Sequence, residues 1–200
     1  MKLICSSVVF VCAVTYSSSV LAQATVSHSG AGIHLTPPVG WAAATLAEVQ
    51  ANRERVRLPD PEFQRALATR SALPLIVYMK YPEPHEGLNP TIQVTLRAAL
   101  EGTPTSLLTT ALGPLRRAFA DFRVDSPVQN TTVGGWPAAT VTVVYALSNR
   151  SGAVFPVRSR MWLVPRGNLM FLIGMSGSTT GEDLCEDEFK NVLASIQIDK

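Results

Sequence analysis

From residue 122 to residue 176 four strand-like runs follow one another almost without pause. They are "FRVDSPVQ", "AATVTVVYAL", "VRSRMWLV" and "LMFLIGMS", separated by "NTTVGGW", "SNRSG" and "PRGN". Connections this short join antiparallel neighbours, because a parallel crossover needs a dozen or more residues. This part of the chain is thereby restricted to an antiparallel meander. "LMFLIGMS" is apolar on both faces, so it reads as a central strand covered from both sides.

The N-terminal half supplies the covers. "GIHLTPPVGW" holds a short strand, with Ile33 and Leu35 alternating, and a proline–glycine turn before Trp41. Thr45 and Glu48 have capping-box spacing ahead of "LAEVQANRERV", a first helix. Asp60 and Pro61 offer an N-cap and a first-turn proline for a second, "PEFQRALATR". "LPLIVYMKY" is a strand, "PEPHEGLNP" a loop, and "TIQVTLRA" a strand of strict alternation. A helix starting at Thr103-Pro104 carries an apolar stripe through Leu108, Leu112 and Leu115. Pro114 lies inside it and predicts a kink or a break. The order is strand, two helices, two strands, helix, four strands, helix, which is α+β.

The first 22 residues look like a passenger. Lys2 precedes the apolar stretch "LICSSVVFVCAVTY", and Val20 and Ala22 fit the −3 and −1 positions of a signal-peptide cleavage site. The dense apolar run covers about nine residues, against roughly 20 for a membrane-crossing helix. The expectation is a signal peptide over 1–22, a flexible mature N-terminus over 23–30 and one domain over 31–200. The mature chain should have no integral membrane segment and reside in the periplasm or outside the cell. Removal of Lys2 takes the basic residues from 17 to 16 against 15 acids, a net charge of +1. The arginines are scattered from Arg53 to Arg166 with acids between them, which argues against a nucleic-acid partner. Only Cys185 survives cleavage, so no internal disulfide is expected.

Cys185 sits in "GEDLCEDEF", among five carboxylates. With Phe189, Val192, Leu193 and Ile196 it follows helical spacing, all within about 80° of one another. The residues read as a helix start whose acids favour the positive end of the helix dipole. Cys185 is then a buried thiol whose pKa the neighbouring acids should raise, and Asp183 and Asp187 point the other way into water. No metal and no cofactor are expected: no histidine lies near these acids, and "GMSGS" departs from G-x-S-x-G at Ser178. His85, in "YPEPHEG", is a histidine in an exposed loop with a carboxylate beside it, but no second histidine at ligand spacing. One surface feature stands out. Arg158, Arg160 and Trp162 alternate onto one face of "VRSRMWLV", the composition of an interaction hot spot, and are expected to form a partner-binding face.

Taken in order, these segments resemble the PsbP-like superfamily. The resemblance starts at "GIHLTPPVGW" and continues through "NPTIQV", "LLTTALGPLRRAF" and "VGGWPAATVTVVY". It ends with "RMWLVPRGNLMFLIGMSGS" and "FKNVLASIQI", covering roughly residues 31–198. It implies an α/β/α sandwich with a central, largely antiparallel sheet and helices on both faces. The signal peptide places the chain beside the bacterial envelope members of that superfamily, the DcrB-like proteins, although it lacks their lipid-bearing cysteine. The superfamily is mostly non-catalytic, and no functional residues carry over. The expected function is an exported, non-catalytic envelope protein that binds a protein or surface component. The alternatives are a small-ligand carrier or enzyme with a pocket near His85, and an inhibitor of a toxin or enzyme.

Overall fold

The computed structural model describes residues 25–28, 30–68 and 74–200. The expected signal peptide and its cleavage site lie outside them. In chain order the elements are β1 (Val26–His28), β2 (Ile33–Leu35), β3 (Ala42–Ala43), α1 (Leu46–Arg55), β4 (Val56–Arg57) and α2 (Pro61–Ala68). Then come β5 (Ile76–Met79), β6 (Thr91–Ala98), α3 (Pro104–Ala118), β7 (Ala120–Val133) and β8 (Trp136–Asn149). The chain finishes with β9 (Val154–Arg166), β10 (Leu169–Ser178), a 3-10 turn over Glu182–Leu184, α4 (Glu186–Ser195) and β11 (Gln197–Ile198).

The meander is real. β7, β8, β9 and β10 pair antiparallel in sequence, and β10 also pairs with β6. The eight-stranded sheet runs β3-β5-β6-β10-β9-β8-β4, with β7 beside β8. β10 therefore lies inside the sheet, as its two apolar faces require. A separate three-stranded sheet, β1-β2-β11, brings the two ends of the domain together.

Strand parity sorts the core into two layers. Trp162, Val164, Phe171, Ile173, Met175, Ile92 and Val94 face α4, where Phe189, Val192 and Ile196 complete one cluster. Ala139, Val141, Val143, Leu163 and Met170 face α3, where Leu108 is buried and Leu107 and Leu112 pack alongside. Each large side chain so enclosed contributes about 1.5–3 kcal/mol. Helices on both faces of an antiparallel sheet make the α/β/α sandwich.

Three local expectations need correction. Val26–His28 is not a flexible tail: it pairs with β2, from Val26 opposite Leu35 to His28 opposite Ile33. Pairing satisfies backbone groups that a free tail would leave to water. α3 runs through Pro114 without a break, which removes one of the two outcomes expected there. The carbonyl that loses its donor belongs to Thr110, which is exposed, so water can serve it, while Leu108 and Ala118 anchor both halves of the helix. Finally, Cys185 is not within the last helix but caps it, with φ of 53° in the left-handed region. The chain breaks there between the 3-10 turn and α4, yet the thiol is still only 3% exposed.

Candidate functional site

α3 covers only part of its face of the sheet. The strand registers carry that face onward. Tyr145 pairs with Val157, Leu147 with Phe155, Ser176 with both Thr91 and Ser159, and Gly174 with both Gln93 and Met161. Paired residues in an antiparallel ladder point to the same side, so all of these share the face of Val141 and Leu163. Thr91 and Ser176 are small, and the sheet is hollow beside them. The result is an open cleft of about 810 Å³, within the size range of ligand sites. Its far walls are the loop Glu83–Asn89 and the β8–β9 turn around Asn149–Ala153.

The loop wall is held by a carboxylate. Glu83, its side chain 8% exposed, accepts from Arg55 Nη1 at 2.9 Å. It also accepts from Asn52 Nδ2 at 3.0 Å, Asn89 Nδ2 at 2.8 Å and the His85 N–H at 2.9 Å. Burial pushes its carboxyl up, but the bonds from Asn89, His85, Asn52 and Arg55 outweigh burial and hold it below the ordinary range. Asn89 closes the loop on itself: its side chain accepts from the Tyr81 N–H at 3.0 Å and donates to the Tyr81 carbonyl at 2.9 Å. The loop is thus riveted to α1.

The floor is lined with hydroxyls. Ser176 Oγ bonds the buried Ser159 Oγ at 2.8 Å, and Tyr145 lines the cleft as well. Burial raises the Tyr145 pKa, so the phenol stays protonated. Leu147, Phe155 and Val157 supply the apolar wall. His85 lines the cleft too, its ring stacked on Tyr81 at 4.6 Å.

Behind the loop lies a second polar group. Lys80 Nζ donates to the Glu182 carbonyl at 2.7 Å and to Asp183 Oδ1 at 3.1 Å, and stands 3.6 Å from Cys185 Sγ. Tyr81 Oη donates to Asp183 Oδ1 at 2.7 Å. Asp183 therefore does not face water, as helical periodicity suggested: the 3-10 turn rotates it onto Lys80. Burial would lower the Lys80 ammonium, but the bond to Asp183 keeps it above its usual range. Burial raises the Asp183 carboxyl, and the bonds from Tyr81 and Lys80 more than reverse that. The Cys185 thiol is pushed up to about 11 by burial, against the pull of Lys80 and with the help of Glu188 and Asp183. The raised thiol was expected from neighbouring acids; burial is the larger cause.

The residues expected to carry chemistry are dispersed. His34 bonds Ser27 Oγ at 2.8 Å and Asp199 Oδ1 at 3.1 Å in the small sheet, Cys185 is in the α4 core, and His85 is at the cleft. Among the described residues no three His, Cys, Asp or Glu side chains are grouped to hold a metal ion, and no helix is long and apolar enough to cross a membrane. The partner face of Arg158, Arg160 and Trp162 also needs correction. These residues do alternate onto one side, but that side lies under α4. Trp162 is 2% exposed, in the core. Arg158 pairs with Glu186 of α4 and, at 3.1 Å, with Asp125, while Arg160 Nε donates to Thr142 Oγ1 at 3.4 Å. Trp162 therefore offers no exposed aromatic anchor on this face.

The sequence offered a pocket near His85 as an alternative, but not its floor, which comes from four strands. One trace was visible: Gly174 and Ser176 break a parity that otherwise carries Met170 and Leu172.

No family model matches this chain, and no curated protein matches it by sequence. Solved structures do match by shape. LpqN of Mycobacterium tuberculosis, involved in cell envelope biogenesis, is similar with a TM-score of 0.54 and 18% identity, over 88% of this chain and 90% of LpqN. CyanoP, the cyanobacterial PsbP of Synechocystis, gives 0.52 and 11%, over 90% of this chain and 96% of CyanoP. The Saccharomyces cerevisiae Ran-binding protein Mog1p gives 0.50 and 14%, over 88% of this chain and 95% of Mog1p. The chain has the fold these proteins share, the PsbP-like fold that its motif order implied.

Proposed function

We propose that this protein is an exported, non-catalytic accessory protein of the cell envelope that works by binding, and that the cleft beside the Glu83 loop is its binding site. The observation that carries this reading is the cleft: a hollow of about 810 Å³ on a rigid sheet, walled by a loop that four hydrogen bonds to one carboxylate hold in place. A preformed concavity with an apolar wall and a few fixed polar groups is the usual form of a ligand site. Its buried carboxylate is occupied in holding the wall, and its Ser176 hydroxyl is bonded to Ser159, so the geometry favours holding a ligand over activating a nucleophile. Of the expected functions, this favours the small-ligand alternative over a protein-binding face, because Trp162 is not at the surface. The likeness of fold to LpqN, itself involved in cell envelope biogenesis, supports the location.

Two measurements test the proposal. N-terminal sequencing of the chain recovered from periplasm or medium should begin at Gln23; a retained Met1 overturns export. An NMR screen of small-molecule fragments should shift amides of Gln93, Tyr145, Phe155 and Ser176 together. Hits confined to other surfaces, or none, overturn the cleft as the site.

A further inference from the structure

We infer that the cleft takes an uncharged, hydroxyl-rich ligand, namely a short neutral oligosaccharide. This deepens the binding-site reading above and rests on it. Among the described residues the charges of the lining come in equal number, Arg55 and Arg150 against Glu83 and Glu86. Arg55 is neutralised by Glu83, and Arg150 Nε is already bonded to the Glu54 carbonyl at 2.9 Å. Arg150 and Glu86, both exposed, are of opposite sign, so the lining carries no net charge to select an anion or a cation.

The polar groups with capacity to spare are of a different kind. Among the described residues neither the Gln93 carboxamide nor the Thr91 hydroxyl makes a side-chain hydrogen bond, and both border the Ser176 hydroxyl on the floor. The Gln93 side chain lies against Gly174, where a Cβ would come within 3.3 Å of its Nε2, and Gln93 is exposed in the cleft. Amides and hydroxyls both donate and accept, which matches the paired donor and acceptor character of sugar hydroxyls. The wall at Leu147 and Phe155 offers apolar surface to the C–H face of a pyranose ring.

A peptide is the rival occupant, and the position of the cleft disfavours it. Extended peptides bind by adding a strand to a sheet edge. This cleft lies on a sheet face, where β6, β10, β9 and β8 have spent their backbone groups on one another. Only side chains remain to be read.

The test is titration of the purified full chain, followed by amide shifts, with maltotriose and triacetylchitotriose as neutral probes. Trigalacturonate is the anionic comparator and a blocked Ser/Ala tetrapeptide the peptide comparator. Expected are saturable shifts at Thr91, Gln93, Phe155 and Ser176 with a neutral sugar, and affinity roughly threefold to tenfold weaker in Gln93→Ala. The variant should keep the wild-type spectrum elsewhere. Stronger response to the peptide or to trigalacturonate overturns the ligand class while leaving the cleft as a site. Neutral sugars that shift none of these residues also overturn it, and a fragment screen then decides whether the cleft reading falls as well. Binding unaffected by Gln93→Ala overturns the assigned contact.

Discussion

The two faces of the main sheet are built from the same strands and end differently. On the α4 face, Trp162, Phe171, Ile173 and Met175 meet Phe189 and Val192, and Trp41 closes the edge with its ring 5.9 Å from Phe189. On the α3 face, the same strands pack a helix at one end and then carry Ser176 and Thr91, which line the cleft, at the other. One face is filled to the end and the other is left hollow. Both obey the same alternation; side-chain volume separates scaffold from site. A helix placed over small hydroxyl residues would enclose unfilled space, and lost packing contacts are costly.

The contrast can be broken by spoiling the filled face. Trp162→Ala should cost about 3–5 kcal/mol in urea unfolding. A loss below about 1 kcal/mol would mean that Trp162 is not the core residue described here. Cys185 gives the next test. With its pKa pushed up to about 11, it should alkylate at pH 8 on the order of a hundredfold more slowly than an ordinary thiol. Because that pKa is raised, the thiol adds stability that is intact below its unfolded value and is lost as pH rises toward 11. Rapid native-state labelling would mean that α4 does not seal this face. Gly177→Ala probes the same seal, since a Cβ there would sit 2.2 Å from the Asp183 carbonyl oxygen. The 3-10 turn must shift, at about 1–3 kcal/mol, measurable as a lower Tm.

Other changes sharpen the hollow face. Glu83→Ala leaves Asn52, Asn89 and the His85 N–H without their acceptor, for a loss of about 1–3 kcal/mol. Its effect should concentrate in amide shifts of the Tyr81–Asn89 loop; uniform shifts across both faces would refute a local rivet. The carboxyl is held below its ordinary range, so its contribution is present above the unfolded value of about 4.3 and disappears as pH falls through the lower folded value. In Glu83→Ala that part of the acid sensitivity should vanish. The smallest effect is expected at Gln93→Ala, within about 0.5 kcal/mol of wild type, because an exposed amide without protein partners adds binding capacity and little stability.

Legibility in the sequence followed the range of the interactions. The Thr45–Glu48 capping box forms as spaced, with the Glu48 N–H bonded to Thr45 Oγ1 at 3.2 Å and the Thr45 N–H bonded to Glu48 Oε2 at 2.7 Å. β6 buries Ile92 and Val94 as its period requires. The errors lie where a distant element decides. Periodicity put Trp162 and the arginines on one face but could not say that α4 lies over it. It grouped Cys185 with Phe189 and Val192 correctly, yet could not see Lys80 drawing Asp183 out of the helix. His85 was singled out as an isolated histidine, while Glu83, two residues earlier, does more to shape the cleft.

What the sequence alone determined is the set of elements, the antiparallel meander and the two-sided covering of β10, since alternation, caps and turn lengths act over a few residues. The tertiary structure decided which face each helix covers and where Thr91, Tyr145, Phe155 and Ser176 converge. Those outcomes depend on strand register, which brings residues 85 positions apart side by side at Thr91 and Ser176, and no local pattern encodes a hollow assembled from four strands.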